Sequence, residues 1–223
     1  MERMRLLGAL GAECGRLGEV LAALTEREAA APTRCAPWDV AALAAHTVGA
    51  LSRVQTALGE EQPPRAEVSA AGYYAPDARF SPEVDADRID SAVRAAARHG
   101  DAAEPGRRLR ELWADLEPRL RAEPQGRVVR TRHGDAMALE DFLLTRVLEL
   151  VVHGIDLADA LGREPWTSAE GAGAVELLLF GEAGRPEGMD ALSAVRAATG
   201  RNLEGGPTAE DLKDSGVRFL ALG

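Results

Sequence analysis

An all-α fold is what the sequence predicts: a four-helix bundle with a short hairpin before its last helix and a small C-terminal appendage. Three observations predict it. Apolar residues recur at spacings of three and four through four separate stretches, the period of helices that each bury one face. β-Branched residues flank a turn signal at one place, in the run RVVRTRHGDAMAL. The 223 residues are 46% hydrophobic but only 4% aromatic, which suits smooth alanine-rich helices packed closely.

The first helix is expected over residues 2–25, with Leu7, Leu10, Cys14, Leu17, Leu21 and Leu24 forming its apolar stripe. A second stripe, Gly8, Gly11, Gly15 and Gly18, runs beside it. Each glycine costs about 1 kcal/mol relative to alanine in a helix, so the alignment predicts a close helix–helix approach along it. Asp39 is a good N-cap for a second helix reaching about residue 58. Its face is Val40, Leu43, Ala44, Thr47, Leu51, Val54 and Leu58, with His46 at the edge. Residues 61–84, rich in proline around Tyr73-Tyr74, read as irregular, and loops this long are often functional. A third helical region covers about 85–121, broken near Gly100 to Gly106 and kinked or ended by Pro118. His133-Gly134-Asp135 marks the hairpin turn. The fourth helix spans about 139–161, with Gly162 where a C-cap glycine belongs. Residues 1–162 are thus expected to form the bundle and 163–223 the appendage, with helical pieces near 168–181 and 188–199.

Charge and composition exclude several functions. The formal charge is −10 and the pI about 5.0, so no basic footprint suits nucleic acid or an anionic membrane surface. No stretch of apolar residues is long enough to span a membrane, and Glu13, Arg16 and Glu19 interrupt any signal-peptide core. Two cysteines, Cys14 and Cys35, give neither a disulfide framework nor a four-ligand zinc site. A soluble cytoplasmic protein with reduced thiols is expected.

Chemistry is concentrated in the fourth helix, DFLLTRVLELVVHGIDLADALG. Apolar residues surround it on nearly every side, so it should be buried. A polar seam of Thr145, Glu149, His153 and Asp156 nevertheless runs through it, with Arg146 on the adjoining edge. Buried carboxylates need partners. Glu149 and His153, four apart, project to one side, so they suit either two ligands of one metal ion or a buried ion pair, with Arg146 as a further partner. A third ligand would come from His46, His99 or His133. His99 lies in a polar helix end and His133 in a turn, whereas His46 alone edges an amphipathic helix. Two histidines and one glutamate leave coordination positions open, the catalytic rather than the structural pattern.

Two motifs carry a family resemblance: Thr33-x-Cys35-x-Pro37-Trp38-Asp39-Val40-x2-Leu43-x2-His46, and Arg146-x2-Glu149-x3-His153-x2-Asp156-Leu157. Over about residues 5–162 the chain resembles the mycothiol-dependent maleylpyruvate isomerase family of the DinB/YfiT-like superfamily of four-helix-bundle metalloenzymes. The resemblance implies a DinB-like bundle that binds a divalent metal, zinc by preference, through His46, Glu149 and His153. It also implies a low-molecular-weight thiol, mycothiol or a relative, as cosubstrate, and hence an S-transferase or a cis-trans isomerase acting on an electrophilic small molecule. A non-catalytic binding module with a structural or vestigial metal site is the alternative. After residue 162 the chain is expected to depart from the isomerase, whose C-terminal α+β domain contributes to its active site, although Ala197-Ala198-Thr199-Gly200-Arg201 resembles a segment of the wider family. Smaller expectations are that Trp38 packs at the start of its helix, Cys35 is a small half-buried residue, and Asp156 orients His153 or Arg146. Tyr73 and Tyr74 should line a pocket or anchor their loop. Arg79 and Arg88 would suit an anionic substrate, but read as solvated surface charges.

Overall fold

A computed structural model describes residues 2–222. Four long helices make the bundle: α1 (Arg3–Ala22), α3 (Val40–Gly59), α6 (Glu104–Ala122) and α7 (Leu139–Ala160). Each of α1 and α3 packs on both α6 and α7. Between them lie the one-turn helices α2 (Glu26–Ala29) and α4 (Ala70–Tyr73), and α5 (Pro82–Ala96) on the outer side of α3. Asp39 caps α3 by accepting from the Ala42 N–H. The hairpin forms as expected, β1 (Val128–Arg130) against β2 (Ala136–Ala138), antiparallel, with Val129 opposite Met137. Among the described residues, no helix is long and apolar enough to cross a membrane.

Several expectations are corrected. The third helical region breaks between Ala96 and Glu104, close to the expected place, but only the second of its two helices, α6, belongs to the bundle. Pro118 does not end α6, which continues to Ala122. Buried Leu116 and Leu120 on either side of the proline hold that turn against the core, so packing outweighs the lost backbone hydrogen bond. The stretch 61–84 is only partly irregular. Val68 bridges to Met137, Ser69 caps α4, and a 3-10 turn covers Ala78–Phe80.

The glycine stripe of α1 marks a close approach at only two of its four positions. Gly11 faces Trp113 and Gly18 faces Arg110 and the Gly106 backbone, all on α6. Gly8 and Gly15 are exposed and meet nothing. The stripe runs along the flank of the leucine face, and α6 covers only its nearer half. The tightest point is Gly106 itself, where a Cβ would lie 2.1 Å from the Ala22 nitrogen.

Glu13, whose charge sequence reading places against an apolar N-terminus, is buried. One carboxylate oxygen accepts from the Ser168 backbone N–H at 2.7 Å and from its hydroxyl at 2.5 Å. Ser168 caps α8 (Ala169–Phe180), so this contact ties α1 to the segment beyond residue 162. Helix α8 packs on α1 and α7, and α9 (Ala191–Ala198) packs on α8. The last residues run back toward the bundle, where the Ala221 N–H donates to the Tyr74 carbonyl.

Two predictions follow from this packing. Gly106→Ala should cost about 1–3 kcal/mol through overpacking, whereas Gly8→Ala should stabilise by up to about 1 kcal/mol through helix propensity; urea unfolding of both variants checks the contrast. Burial, partly offset by Ser168, pushes the Glu13 carboxyl above its ordinary 4.5. The folded protein therefore keeps that proton where the unfolded chain has lost it, and stability falls as pH rises through the folded value. Glu13→Gln should remove this part of the pH dependence, read as a smaller loss of stability than wild type as pH rises above about 4.5. Equal slopes for the two proteins would contradict the assignment.

Candidate metal centre

The polar seam of α7 lies inside the bundle, as its apolar surroundings require. Thr145, Arg146, His153 and Asp156 are buried, and the Glu149 side chain is 17% exposed. Glu149 and His153 meet His46 of α3 there. Glu149 Oε2 lies 3.5 Å from His46 Nε2 and 3.3 Å from His153 Nε2, and the two imidazole rings meet edge to face, 5.0 Å apart. The other carboxylate oxygen, Oε1, accepts from the Tyr74 hydroxyl at 2.9 Å.

Each ligand candidate is held from behind. His46 stacks on the Trp38 ring at 4.7 Å, and the Trp38 Nε1–H donates to the Ile89 carbonyl on α5. His153 Nδ1 lies 3.1 Å from Asp156 Oδ2. Asp156 in turn accepts two parallel bonds from Arg201, each 2.8 Å, and one from the Cys35 thiol at 3.3 Å.

Electrostatics follow from these partners. Burial would raise the Glu149 carboxyl, but hydrogen bonds from both histidines outweigh it and hold the group well below the usual carboxylate range. Burial lowers His46 to about 4, with Glu149 opposing only in part, so its ring is neutral at neutral pH. Burial also acts to lower His153, yet hydrogen bonding to Asp156, Cys35 and Glu149 overcomes it and pushes the ring well upward. Asp156 is held below its ordinary value because His153 and Arg201 outweigh its desolvation.

The donor set fits a divalent metal. Two ligand atoms of a tetrahedral zinc at about 2.0–2.1 Å lie roughly 3.4 Å apart, close to the two separations here. Two imidazoles and one carboxylate match the chemistry of an open zinc site, and the Nδ1–carboxylate bond behind His153 is the usual support for such a ligand. A second group, Cys35, His153 and Asp156, also converges. It fits less well, because the Arg201 fork already occupies both oxygens of Asp156.

The structure brings His46, Glu149 and His153 together and leaves His99 and His133 out of the cluster. Arg146 does not join Glu149; it donates to Thr145 Oγ1 and the Ala50 carbonyl and lies over the Phe142 ring. Of its two possible partners, Asp156 takes His153. Tyr73 and Tyr74 both line a pocket. Neither Arg79 nor Arg88 is a solvated charge. Arg79 is fixed to Asp77 and Asp135 and ties the hairpin turn to the preceding loop. Arg88 lies over Trp38 at 5.5 Å, because α5 packs beside that ring.

A cavity of about 520 Å³ opens onto the cluster and reaches all three ligand candidates. Its walls carry five arginines, Arg53, Arg88, Arg94, Arg132 and Arg146, against two carboxylates, Asp87 and Glu149. That is a cationic pocket in a chain of formal charge −10. The sequence marks Arg201 only through its family-like segment and gives no sign of its bond to Asp156 or of the Tyr74 bond to Glu149. The Trp38–His46 stack had a faint signal, their shared place at the start of α3.

Residues 10–158 match the family model described as mycothiol maleylpyruvate isomerase N-terminal domain. A crystal structure of the mycothiol-dependent maleylpyruvate isomerase shares the fold, with a TM-score of 0.57 and 16% identity over 91% of this chain and 90% of that one. No curated protein matches the chain significantly. The likeness covers 91% of the chain and so takes in part of the segment beyond residue 162, which among the described residues is helical with no strand.

Tyr74→Phe should remove the donor to Glu149 Oε1 and destabilise the fold by about 1.5–3 kcal/mol, the range for hydrogen bonds to charged groups. Chemical denaturation of the metal-free protein measures it, and an unchanged stability would mean that the Tyr74–Glu149 bond is not made.

Proposed function

The chain belongs to the mycothiol maleylpyruvate isomerase N-terminal domain family, and on that premise we propose a metal-dependent enzyme that uses a low-molecular-weight thiol of the mycothiol type to add to, or isomerise, an electrophilic small molecule. The observation that carries this reading is the convergence of His46, Glu149 and His153 on one point at the wall of an open, cationic pocket. His46 and His153 would hold a divalent ion through Nε2, and Glu149 through Oε2. Zinc suits that donor set. When bound, the ion would supply a Lewis acid that makes a thiol of ordinary pKa near 8.5 available as thiolate at neutral pH.

The residues themselves do the rest. Tyr74 fixes the carboxylate of Glu149 from its far side, so the charge facing the pocket is held in place. Trp38 fixes the His46 ring. The arginine-rich walls would orient an anionic electrophile and offset its charge where thiolate and substrate meet. In an isomerase, the thiolate sulfur forms a bond to one carbon of a cis double bond, and the electron pair moves into the adjoining carbonyl. The former double bond then rotates as a single bond, and return of the electron pair expels the thiolate to leave the trans isomer. An S-transferase stops after addition and takes up a proton at carbon. The pocket favours an enzyme over a sealed structural module, because open space reaches all three ligand candidates.

The cobalt(II)-loaded protein should develop a thiolate-to-metal charge-transfer band on adding mycothiol, and His46→Ala should abolish it while leaving the fold intact. A metal-loaded protein with neither the band nor affinity for the thiol would exclude both thiol reactions. A hydrolase would then be the better enzyme reading.

A further inference from the structure

Arg201 is distant in sequence from α7, which carries two of the three proposed metal ligands, and sits on the turn that follows α9, yet its guanidinium is buried against that helix. Its Nε–H donates to Asp156 Oδ1 and its terminal nitrogen to Oδ2, both at 2.8 Å. The arginine is itself braced. Its terminal NH1 donates to the Thr199 carbonyl, its own N–H donates to the Arg196 carbonyl, and its carbonyl accepts from the Arg196 side chain. Arg196 then forks onto Asp159, one turn along α7 from Asp156. Two arginine forks from the C-terminal segment therefore clamp two carboxylates of α7.

Asp156 is fully buried, and Oδ2 faces His153 Nδ1 at 3.1 Å. A carboxylate gripped by a planar fork has one allowed orientation, so the oxygen presented to His153 is set by Arg201. That oxygen fixes the ring direction of His153 and the nitrogen that carries its proton, leaving Nε2 toward Glu149 and the pocket. Among the described residues, none of the bundle does this alone. Cys35 offers Asp156 a single weak thiol donor, and Arg34 approaches only to 3.7 Å with a side chain 43% exposed.

We infer that Arg201 is a positioning residue of the metal centre, acting through Asp156 to orient His153, so that the segment beyond residue 162 contributes to metal binding and does not merely cover the bundle. The inference rests on the metal reading proposed above and deepens it. Lysine at this position could restore the charge but not the fork.

The test is cobalt(II) affinity of the full-length protein, measured by chelator competition for wild type, Arg201→Lys, Arg201→Gln and Asp156→Asn, with circular dichroism and metal-free melting temperature as controls on folding. Loss of a contact behind a metal ligand typically weakens binding 10–100-fold, so Arg201→Gln should fall in that range and Arg201→Lys between it and wild type. Because Arg201 acts through Asp156, adding Arg201→Lys to Asp156→Asn should cost no more than about twofold further. Arginine variants that melt at lower temperature yet bind cobalt as tightly as wild type would overturn the inference while sparing the metal reading. Wild-type protein that binds no cobalt would overturn both. Either arginine variant suffices for the comparison if the other does not fold.

Discussion

An ionised carboxylate inside a helical bundle is stable only where polar partners replace the water it has lost, and Glu149 is supplied with three. Tyr74 donates to one oxygen, and the Nε2 atoms of His46 and His153 converge on the other. Each partner comes from a different part of the chain: the loop beside α4, helix α3 and helix α7. The bundle must therefore place three segments around one side chain. A further tier then holds the partners, with Trp38 stacked on His46 and Asp156 bonded to His153. Arg88 over Trp38 and Arg201 on Asp156 close the outer edge of this network.

That requirement accounts for much of the remaining architecture. Helix α5 sits outside the bundle on α3, where it carries Arg88 to the Trp38 ring and receives the indole N–H at Ile89. On the opposite side α1 and α6 pack almost backbone to backbone at Gly106. Buried leucines of α1 and α6 fill that side, whereas on the α3–α7 side the charged cluster is set among the buried apolar residues of both helices. The segment beyond residue 162 is joined to both regions, to α1 through Ser168 on Glu13 and to α7 through Arg201 and Arg196.

The helical elements, the capping Asp39, the hairpin and the burial of the α7 seam were legible in the sequence, because each depends on local period or turn chemistry. The same period brought Glu149 and His153 to one side, and the amphipathic edge of α3 selected His46 from the three remaining histidines. What was not legible depends on which element covers which face. Half of the glycine stripe is open because α6 lies along one flank of α1 only. Pro118 stays inside its helix because Leu116 and Leu120 are buried around it. Arg88 reads as a surface charge until α5 is set against Trp38. Arg201 stands 45 residues from Asp156, a separation across which no spacing rule reaches.

The central claim is that His46, Glu149 and His153 together hold one divalent ion. Anomalous diffraction from crystals of the zinc-soaked protein, recorded on either side of the zinc absorption edge, tests it most directly. The account predicts a single strong peak at about 2.0–2.1 Å from His46 Nε2, Glu149 Oε2 and His153 Nε2. A peak bound instead between Cys35 and Asp156, or no peak at the cluster, would contradict it.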